Sequence, residues 1–490
     1  MKSPFFTEEH DVFRESVRQF IAAEILPFLD NWERKEQIPR EIWQKMGENY
    51  LLGINHPEQH GGSDADFFYS IAFLEELARV SLGFAAAVYN HQFQALALIS
   101  HYGSPLLKEI YLGPGIQGEK IGAVAIAEPN AGSDLFALET IAERDGNNFI
   151  INGTKTFITN GIYGDFIVLA ANTAQYASEN NISLFIVNSD SPGIEVQKWD
   201  KIGWHCSDTA EINFNNVSIP AMYLIGQENM GYQYITGNYT LERLTASVSA
   251  IASADYCLEL TLGHVSQNEG FDQRLPEFQT IRHTLAGLAS ELEAARQLAY
   301  FAAWRYGAGL QALKEASMAK LYATERLKKT ADNCLQYFGS YGFMDTYPIS
   351  RIFRDSRAAT IVNGTSEIMR ETIASFMISQ DEGEIEPVYN QDYQDDIHDA
   401  PALDNELQDE GEVEPVYSQD YQDDIHDAPV SDNELDVPFQ NDEVEENNSA
   451  DWGTGDVYQE VVEEIPEENI AYYPESEEPE ATETFNSHPR

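Results

Sequence analysis

Val124 to Asp134, VAIAEPNAGSD, is the stretch on which the reading of this 490-residue chain turns. Val124 to Ile126 end a short buried strand, and the next eight residues supply a proline, a glycine, a serine and two acids with almost no apolar bulk. Such a loop offers backbone N–H groups and a hydroxyl to a polar ligand. Gly132 lets the main chain come close, and Ser133 is placed to donate a hydrogen bond. Alone, the stretch reads equally well as a Pro-Gly surface loop. Three further units follow in order: Gly153 to Gly161 (GTKTFITNG), Cys206 to Pro220 (CSDTAEINFNNVSIP) and Gly364 to Arg370 (GTSEIMR).

Working outward, a chain of this length with 43% hydrophobic residues exceeds one ordinary domain and can bury large cores. Against 29 Lys and Arg stand 82 Asp and Glu, a formal net charge of -53, which argues against nucleic acid or an anionic membrane as partner. The charge is uneven, since residues 381–490 hold 37 acids and one base. Cys206, Cys257 and Cys334 have neither CxxC nor paired spacing, so no metal site and no disulfide framework is expected. Met1 to Val17 lacks an apolar core and carries Glu8, Glu9 and Asp11, unlike a secretory or transit segment. No apolar run reaches the ~18 residues that cross a bilayer. The expectation is a cytoplasmic protein without membrane insertion.

The order of patterns predicts an α+β multidomain chain. Residues 1–118 read as an all-α domain: Thr7 caps a first helix, and Ile42 to Leu52, Phe68 to Val80 and Phe84 to Ser100 follow at helical spacing. Residues 119–226 change to strand patterning, with apolar runs at Phe166 to Ala171 and Ile182 to Val187 and alternation at Ala210 to Phe214. They predict a β-barrel-like middle domain. Residues 227–380 carry apolar stripes, Leu241 to Leu262 and Phe278 to Leu298, and two further helical stretches, Ala312 to Phe338 and Thr365 to Ser379. A four-helix bundle is the simplest reading. Residues 381–490 form an acidic tail with two near-copies of 28 residues, Asp381 to Gln408 and Asp409 to Asp436. Its composition predicts disorder, and two copies are too few to stack as a solenoid.

Together and in order, the four motifs resemble the acyl-CoA dehydrogenase family of flavoenzymes, from about Thr7 to Ser379. The resemblance implies FAD, with Val124, Ile126, Ala127, Gly132 and Ser133 contacting the flavin, Phe157 packing beside its ring and Thr159 bonding near N5. Phe271, Gln336, Thr365 and Glu367 match other cofactor-contacting positions. Ser133, Tyr89, Arg243 and Gly364 match substrate contacts, with Ala85 to Ala87 and Tyr89 as walls of an acyl pocket. In the family an arginine from the loop after the first long bundle helix reaches the pyrophosphate across a subunit interface. Here that loop is QNEGFDQ, Gln267 to Gln273, with Asn268 at the arginine position, and Ser340 replaces a usual glycine. Weakened FAD binding in a homo-oligomer, a dimer or a tetramer, is implied.

The implied reaction needs a base for the α-proton and an acceptor for the β-hydride, flavin N5. Many members carry the base just before the Gly-Thr of the last motif, where this chain has Asn363. Long-chain and isovaleryl-type members carry it on the first long bundle helix before an arginine. Glu242-Arg243 within YTLERL, Tyr239 to Leu244, matches that pattern. Glu242 also shares a helix face with the small residues Ala246, Ser249 and Ser253, which leave room for a narrow ligand. The expectation is dehydrogenation of an acyl-CoA in fatty acid metabolism, with an electron-transferring flavoprotein as acceptor. Dehydrogenation of an acyl group bound to a carrier protein, or a silent flavoprotein scaffold, would share the motifs.

Overall fold

The computed structural model describes residues 3–173, 181–270 and 272–378, so Phe271 and the acidic repeats lie outside the described residues. The first helix, α1 (Glu8–Glu24), starts as its sequence dictates. The Thr7 side chain accepts from the backbone N–H of His10, and the His10 ring receives the N–H of Thr7, so two otherwise orphaned donors are satisfied reciprocally. Helices α2 (Leu29–Lys35), α3 (Arg40–Glu48), α4 (Phe67–Val80), α5 (Leu82–Tyr89), α6 (Ala97–Tyr102), α7 (Pro105–Leu107) and α8 (Gly113–Ile116) complete an N-terminal helical domain.

Phe84 to Ser100 is not one continuous α-helix. Between α5 and α6 the segment Asn90–Leu96 is π-helical. This is where polar residues interrupt the apolar run: Asn90, His91, Gln92 and Gln94 are all buried. A wider turn re-aims side chains, and these need hydrogen-bond partners inside the protein.

The middle domain is a sheet of eight strands: β1 (Gly122–Ala125), β2 (Ile141–Asp145), β3 (Asn148–Thr159), β4 (Phe166–Asn172), β5 (Ile182–Asn188), β6 (Ile194–Lys198), β7 (Thr209–Pro220) and β8 (Leu224–Ile225). Their order is β6-β7-β3-β2-β4-β5-β8, with β1 parallel to β4. Strand β4 reads as an unbroken apolar run because both its faces are covered. Phe166, Val168 and Ala170 join a core with Leu96 and Ile99, while Ile167, Leu169 and Ala171 join another with Phe149 and Phe185. The β3-β7 register shifts between Lys155 and Ile158, which leaves Phe157 at φ +61° and 67% exposed.

The C-terminal domain is helical. Helix α9 (Gly231–Gln267) leads through a short hairpin, β9 (Glu269–Gly270) and β10 (Gln273–Arg274), to α10 (Gln279–Gly307), α11 (Leu313–Tyr337), α12 (Pro348–Ala359) and α13 (Ser366–Ile378). A fifth helix, α12, thus joins the four expected. Pro348 occupies its first turn, where no intrahelical N–H is needed, and it buries Ile349, Ile352 and Ala359. On α9 the apolar stripe ends before Leu262, which is exposed; Val265 is buried instead. Among the described residues no helix is long and apolar enough to cross a membrane.

Candidate active site

Glu242 projects from α9 into a niche lined by amides. Asn238, one turn earlier on the same face, donates from Nδ2 to Glu242 Oε1 at 3.1 Å and to the carbonyl of Phe93 at 3.0 Å. The Gln94 amide reaches the same carboxylate. Gln94 is itself fixed: its Oε1 accepts from Asn90 Nδ2 at 2.6 Å, and its Nε2 donates to Asn363 Oδ1 at 3.3 Å. Asn363 completes the ring by donating from Nδ2 to the backbone carbonyl of Glu242 at 3.4 Å. Desolvation raises the carboxyl to about 7, with Asn238, Arg243 and Gln94 opposing the rise. A carboxylate of that basicity is half ionised near neutrality and can take a proton. Tyr89, buried at the end of α5, is hydrogen-bonded to Asn363; burial and the Glu242 charge push its hydroxyl up.

The turn before α13 is strained into position. Asn363 has φ +54° and Gly364 φ +89°, and a Cβ on Gly364 would lie 2.5 Å from Met369 Cε. Buried Lys320 of α11 donates to the Gly364 carbonyl, and Thr365 caps α13 by accepting from the N–H of Ile368 at 3.3 Å. Glu367 is exposed in the first turn of α13. Its own backbone N–H and the Thr365 hydroxyl, with Arg370 nearby, hold its carboxyl below the ordinary range, the opposite of what a base needs. Arg243 turns away from the Glu242 carboxylate. It is buried, donates to Ser317 Oγ of α11 at 2.8 Å and lies 5.1 Å from the Tyr239 ring centroid.

The Val124 to Asp134 loop is pinned from below and open above. Lys155, fully buried on β3, donates to the Ile126 carbonyl at 2.8 Å and to Glu128 Oε1 at 2.7 Å. Glu128 also accepts from the N–H groups of Glu139 and Thr140 at 2.6 and 3.0 Å. Val124, Ile126, Ala127 and Thr159 are half-buried, while Gly132, Ser133 and Phe157 are exposed. A Cβ on Gly132 would meet nothing within 4 Å. Thr156, which the sequence reading passed over, bonds its N–H to the Ala127 carbonyl at 2.9 Å, and its buried hydroxyl has no partner among the described residues. Phe157 tilts toward Trp199, with ring centroids 6.2 Å apart. The N-terminus of α13 opens on a cleft of about 980 Å³ whose lining includes Ile202, Lys328, Arg357, Ser366, Glu367 and Arg370.

This donor set fits FAD. An apolar, partly exposed surface suits a flat ring, and a helix N-terminus beside Lys and Arg suits a diphosphate. Gln336 is exposed near the end of α11, and Asn268 is tied to its own helix by a bond from Nδ2 to the His264 carbonyl at 2.6 Å. The structure therefore gathers Glu242, Tyr89 and Asn363 in one niche and sends Arg243 to α11. Gln94 and Asn238 were missed. The available signal was NHQFQ, Asn90 to Gln94, a polar run inside a buried helix.

Three family models match the chain in succession: the N-terminal domain of acyl-CoA dehydrogenase over residues 7–119, the middle domain over 123–217 and the C-terminal domain over 229–378. The mitochondrial long-chain specific acyl-CoA dehydrogenase of Sus scrofa is 37% identical over 372 residues, 75% of this chain and 86% of that protein. The crystal structure of acyl-CoA dehydrogenase from Geobacillus kaustophilus superposes with a TM-score of 0.75 at 38% identity, covering 77% of this chain and 100% of the other. That of the Bacillus anthracis acyl-CoA dehydrogenase complexed with FAD gives 0.74 at 28% identity, covering 78% and 69%.

Proposed function

The chain belongs to the acyl-CoA dehydrogenase family, an FAD-dependent oxidoreductase acting on the CH–CH bond of an acyl-CoA thioester, and we propose that Glu242 is its catalytic base. One observation carries that assignment: the only carboxylate in the niche is Glu242, at about 7, while the turn before α13 presents the amide of Asn363 among the described residues. Asn363 has no basic carboxylate, and Glu367 is too acidic.

Bound FAD supplies the hydride acceptor. On this reading Val124, Ile126, Ala127, Gly132, Ser133, Thr156, Phe157 and Thr159 hold its ring end, Thr365 and Glu367 contact it from α13, and Gln336 reaches the adenosine diphosphate end of the cofactor in the neighbouring subunit of a homo-oligomer. Phe271 and Asn268, in the loop after α9, would approach the cofactor of the neighbouring subunit across that interface. The chain's own residues then do three things. The lysine-braced Ile126 to Glu128 segment keeps the ring surface rigid, Tyr89 and the alanines of α5 wall the acyl group away from water, and Glu242 takes the α-proton. Ser133 and the turn at Gly364 border the thioester in this reading, and Arg243 stiffens the base's helix against α11 through Ser317.

Exposed Phe301, Trp304, Tyr341 and Phe343 on the C-terminal domain support a homo-oligomer, a dimer or tetramer. An electron-transferring flavoprotein is the acceptor that family membership favours. Three unpaired buried cysteines suit a reducing, cytoplasmic setting.

The test is Glu242→Gln, which keeps the size and removes the base. Flavin content and acyl-CoA binding persist, and flavin bleaching by butanoyl-, octanoyl- or hexadecanoyl-CoA slows by ~10² or more. Reduction at the parent rate would place the base elsewhere.

A further inference from the structure

We propose that Gln94 is a positioning residue: its side-chain amide, braced between Asn90 and Asn363, holds the Glu242 carboxylate in the orientation and charge state in which it accepts a proton. The inference deepens the assignment of Glu242 and rests on it.

The hydrogen-bond chain has one direction. Asn363 Nδ2 faces the Glu242 carbonyl, so its Oδ1 faces Gln94 and requires a donor there. Gln94 must therefore present Nε2 to Asn363, which turns its Oε1 toward Asn90 Nδ2, where the 2.6 Å contact is found. No other rotation of the Gln94 amide satisfies both neighbours. The Gln94 side chain also hydrogen-bonds to the Glu242 carboxylate, which as an anion can only accept, so the brace must offer it a donor rather than a second acceptor. Among the described residues the Asn90 Oδ1 has no partner, which marks the start of the hydrogen-bond chain.

The brace supplies neutral donors where a cation would defeat the chemistry. A guanidinium paired directly with Glu242 would stabilise the anion so strongly that it would be a poor base. Arg243, the adjacent cation, is instead committed to Ser317. Burial by itself pushes the carboxyl up. Asn238, the nearby charge of Arg243 and the Gln94 amide oppose the effect of burial. The charged and titratable groups near the carboxylate are Tyr239 and Arg243 from α9 and Tyr89 from α5. The π-helical segment and the turn before α13 present the amides Asn90, Gln94 and Asn363. Lys320 of α11 is engaged with the Gly364 carbonyl, on the Arg243 side. Asn90 and Gln94, four residues apart in the π-helical segment, lie on one face and bond to each other there.

The test uses the flavin-loaded protein with Gln94→Leu, Gln94→Glu, Asn363→Gly and Glu242→Gln. Glycine is tolerated at the positive φ of Asn363. Two readouts run between about pH 5 and 9. One is the rate of flavin reduction by octanoyl-CoA and hexadecanoyl-CoA. The other is the infrared carboxyl band of Glu242, identified by difference against Glu242→Gln, which needs no turnover. Removing a donor to the charged form raises the carboxyl's pKa, so both midpoints should move up in Gln94→Leu. Gln94→Glu is nearly isosteric and sets a like charge beside the base, so its midpoint should move further. Asn363→Gly should move it in the same direction by less. A purely structural role would lower rates without moving midpoints. If Gln94→Leu fails to fold, Gln94→Glu decides alone. Parent midpoints in the Gln94 variants that retain flavin would overturn the inference while leaving Glu242 as base. A Glu242→Gln protein reduced at the parent rate would overturn the base assignment, and the infrared midpoints would still judge the brace.

Discussion

Lys155→Met removes one partner of a fully buried ion pair beneath the Val124 to Asp134 loop. The side chains of Lys155 and Glu128 are 0% and 3% exposed and 2.7 Å apart. Methionine retains most of the stem's volume, so lost packing is a small part of the effect. The main effect is a buried carboxylate left with two backbone donors, Glu139 and Thr140, and an Ile126 carbonyl that loses its lysine. Removing one partner of a buried pair costs about 3 to 5 kcal/mol. The two remaining N–H donors place this case near the lower end, and the carbonyl adds about 1 kcal/mol. A loss of about 4 kcal/mol is therefore expected in urea unfolding, with faster FAD release, because Ile126 and Glu128 flank Ala127. Adding Glu128→Gln removes the orphaned charge but keeps an acceptor for both backbone donors, and should restore about half of the loss. The acid limb has a definite sign. Burial pushes the Glu128 carboxyl up, but Lys155, Thr140 and the Glu139 N–H hold it below 4.5. It therefore contributes stability that is present above 4.5 and lost as pH falls through its folded value. In Lys155→Met that loss should begin at higher pH. A single variant within about 0.5 kcal/mol of the parent, or a double variant no more stable than the single, would refute the idea that this pair pins the loop.

Glu242 carries a stability cost of the opposite sign: its carboxyl is raised from 4.5 to about 7, so its contribution is complete below 4.5 and lost as pH rises through about 7. Glu242→Gln should therefore be more stable than the parent at pH 8 by up to about 3 kcal/mol, a gap that closes below 4.5 in urea titrations. Asn268→Arg should lower the FAD dissociation constant by about one to two decades by adding a charge-assisted phosphate contact; an unchanged constant by fluorescence titration would remove that account of the loop. Cutting the chain after Gln380, beyond the last described helix at Ile378, should leave flavin content and turnover unchanged. Loss of either would mean that the acidic repeats contribute to the enzyme.

The sequence by itself determined what depends on local chemistry and on order. Thr7 announces a helix start because its hydroxyl can reach only the first-turn N–H groups, and the 3.6-residue spacing of Leu241, Leu244, Val248 and Ile251 makes α9 a buried helix whatever surrounds it. The apolar run at Phe166 to Ala171 identifies a covered strand for the same reason. Position within the motifs singled out Glu242 and the missing carboxylate at Asn363. What only the tertiary structure decided are contacts between residues far apart in the chain. Nothing local ties Gln94 to Asn363 across 269 positions, or tells which way Arg243 points from α9. Nor does spacing reveal that Lys155 is buried against Glu128, since a lysine in a strand is ordinarily solvated. The π-turn at Asn90–Leu96 belongs to the same class. Its Phe93 carbonyl accepts from Asn238 of α9 and its Gln94 amide donates to Asn363 in the turn before α13, partners that exist only once three segments have packed together. Burial also makes Glu242 basic, because desolvation is a property of the assembled niche and not of the residue.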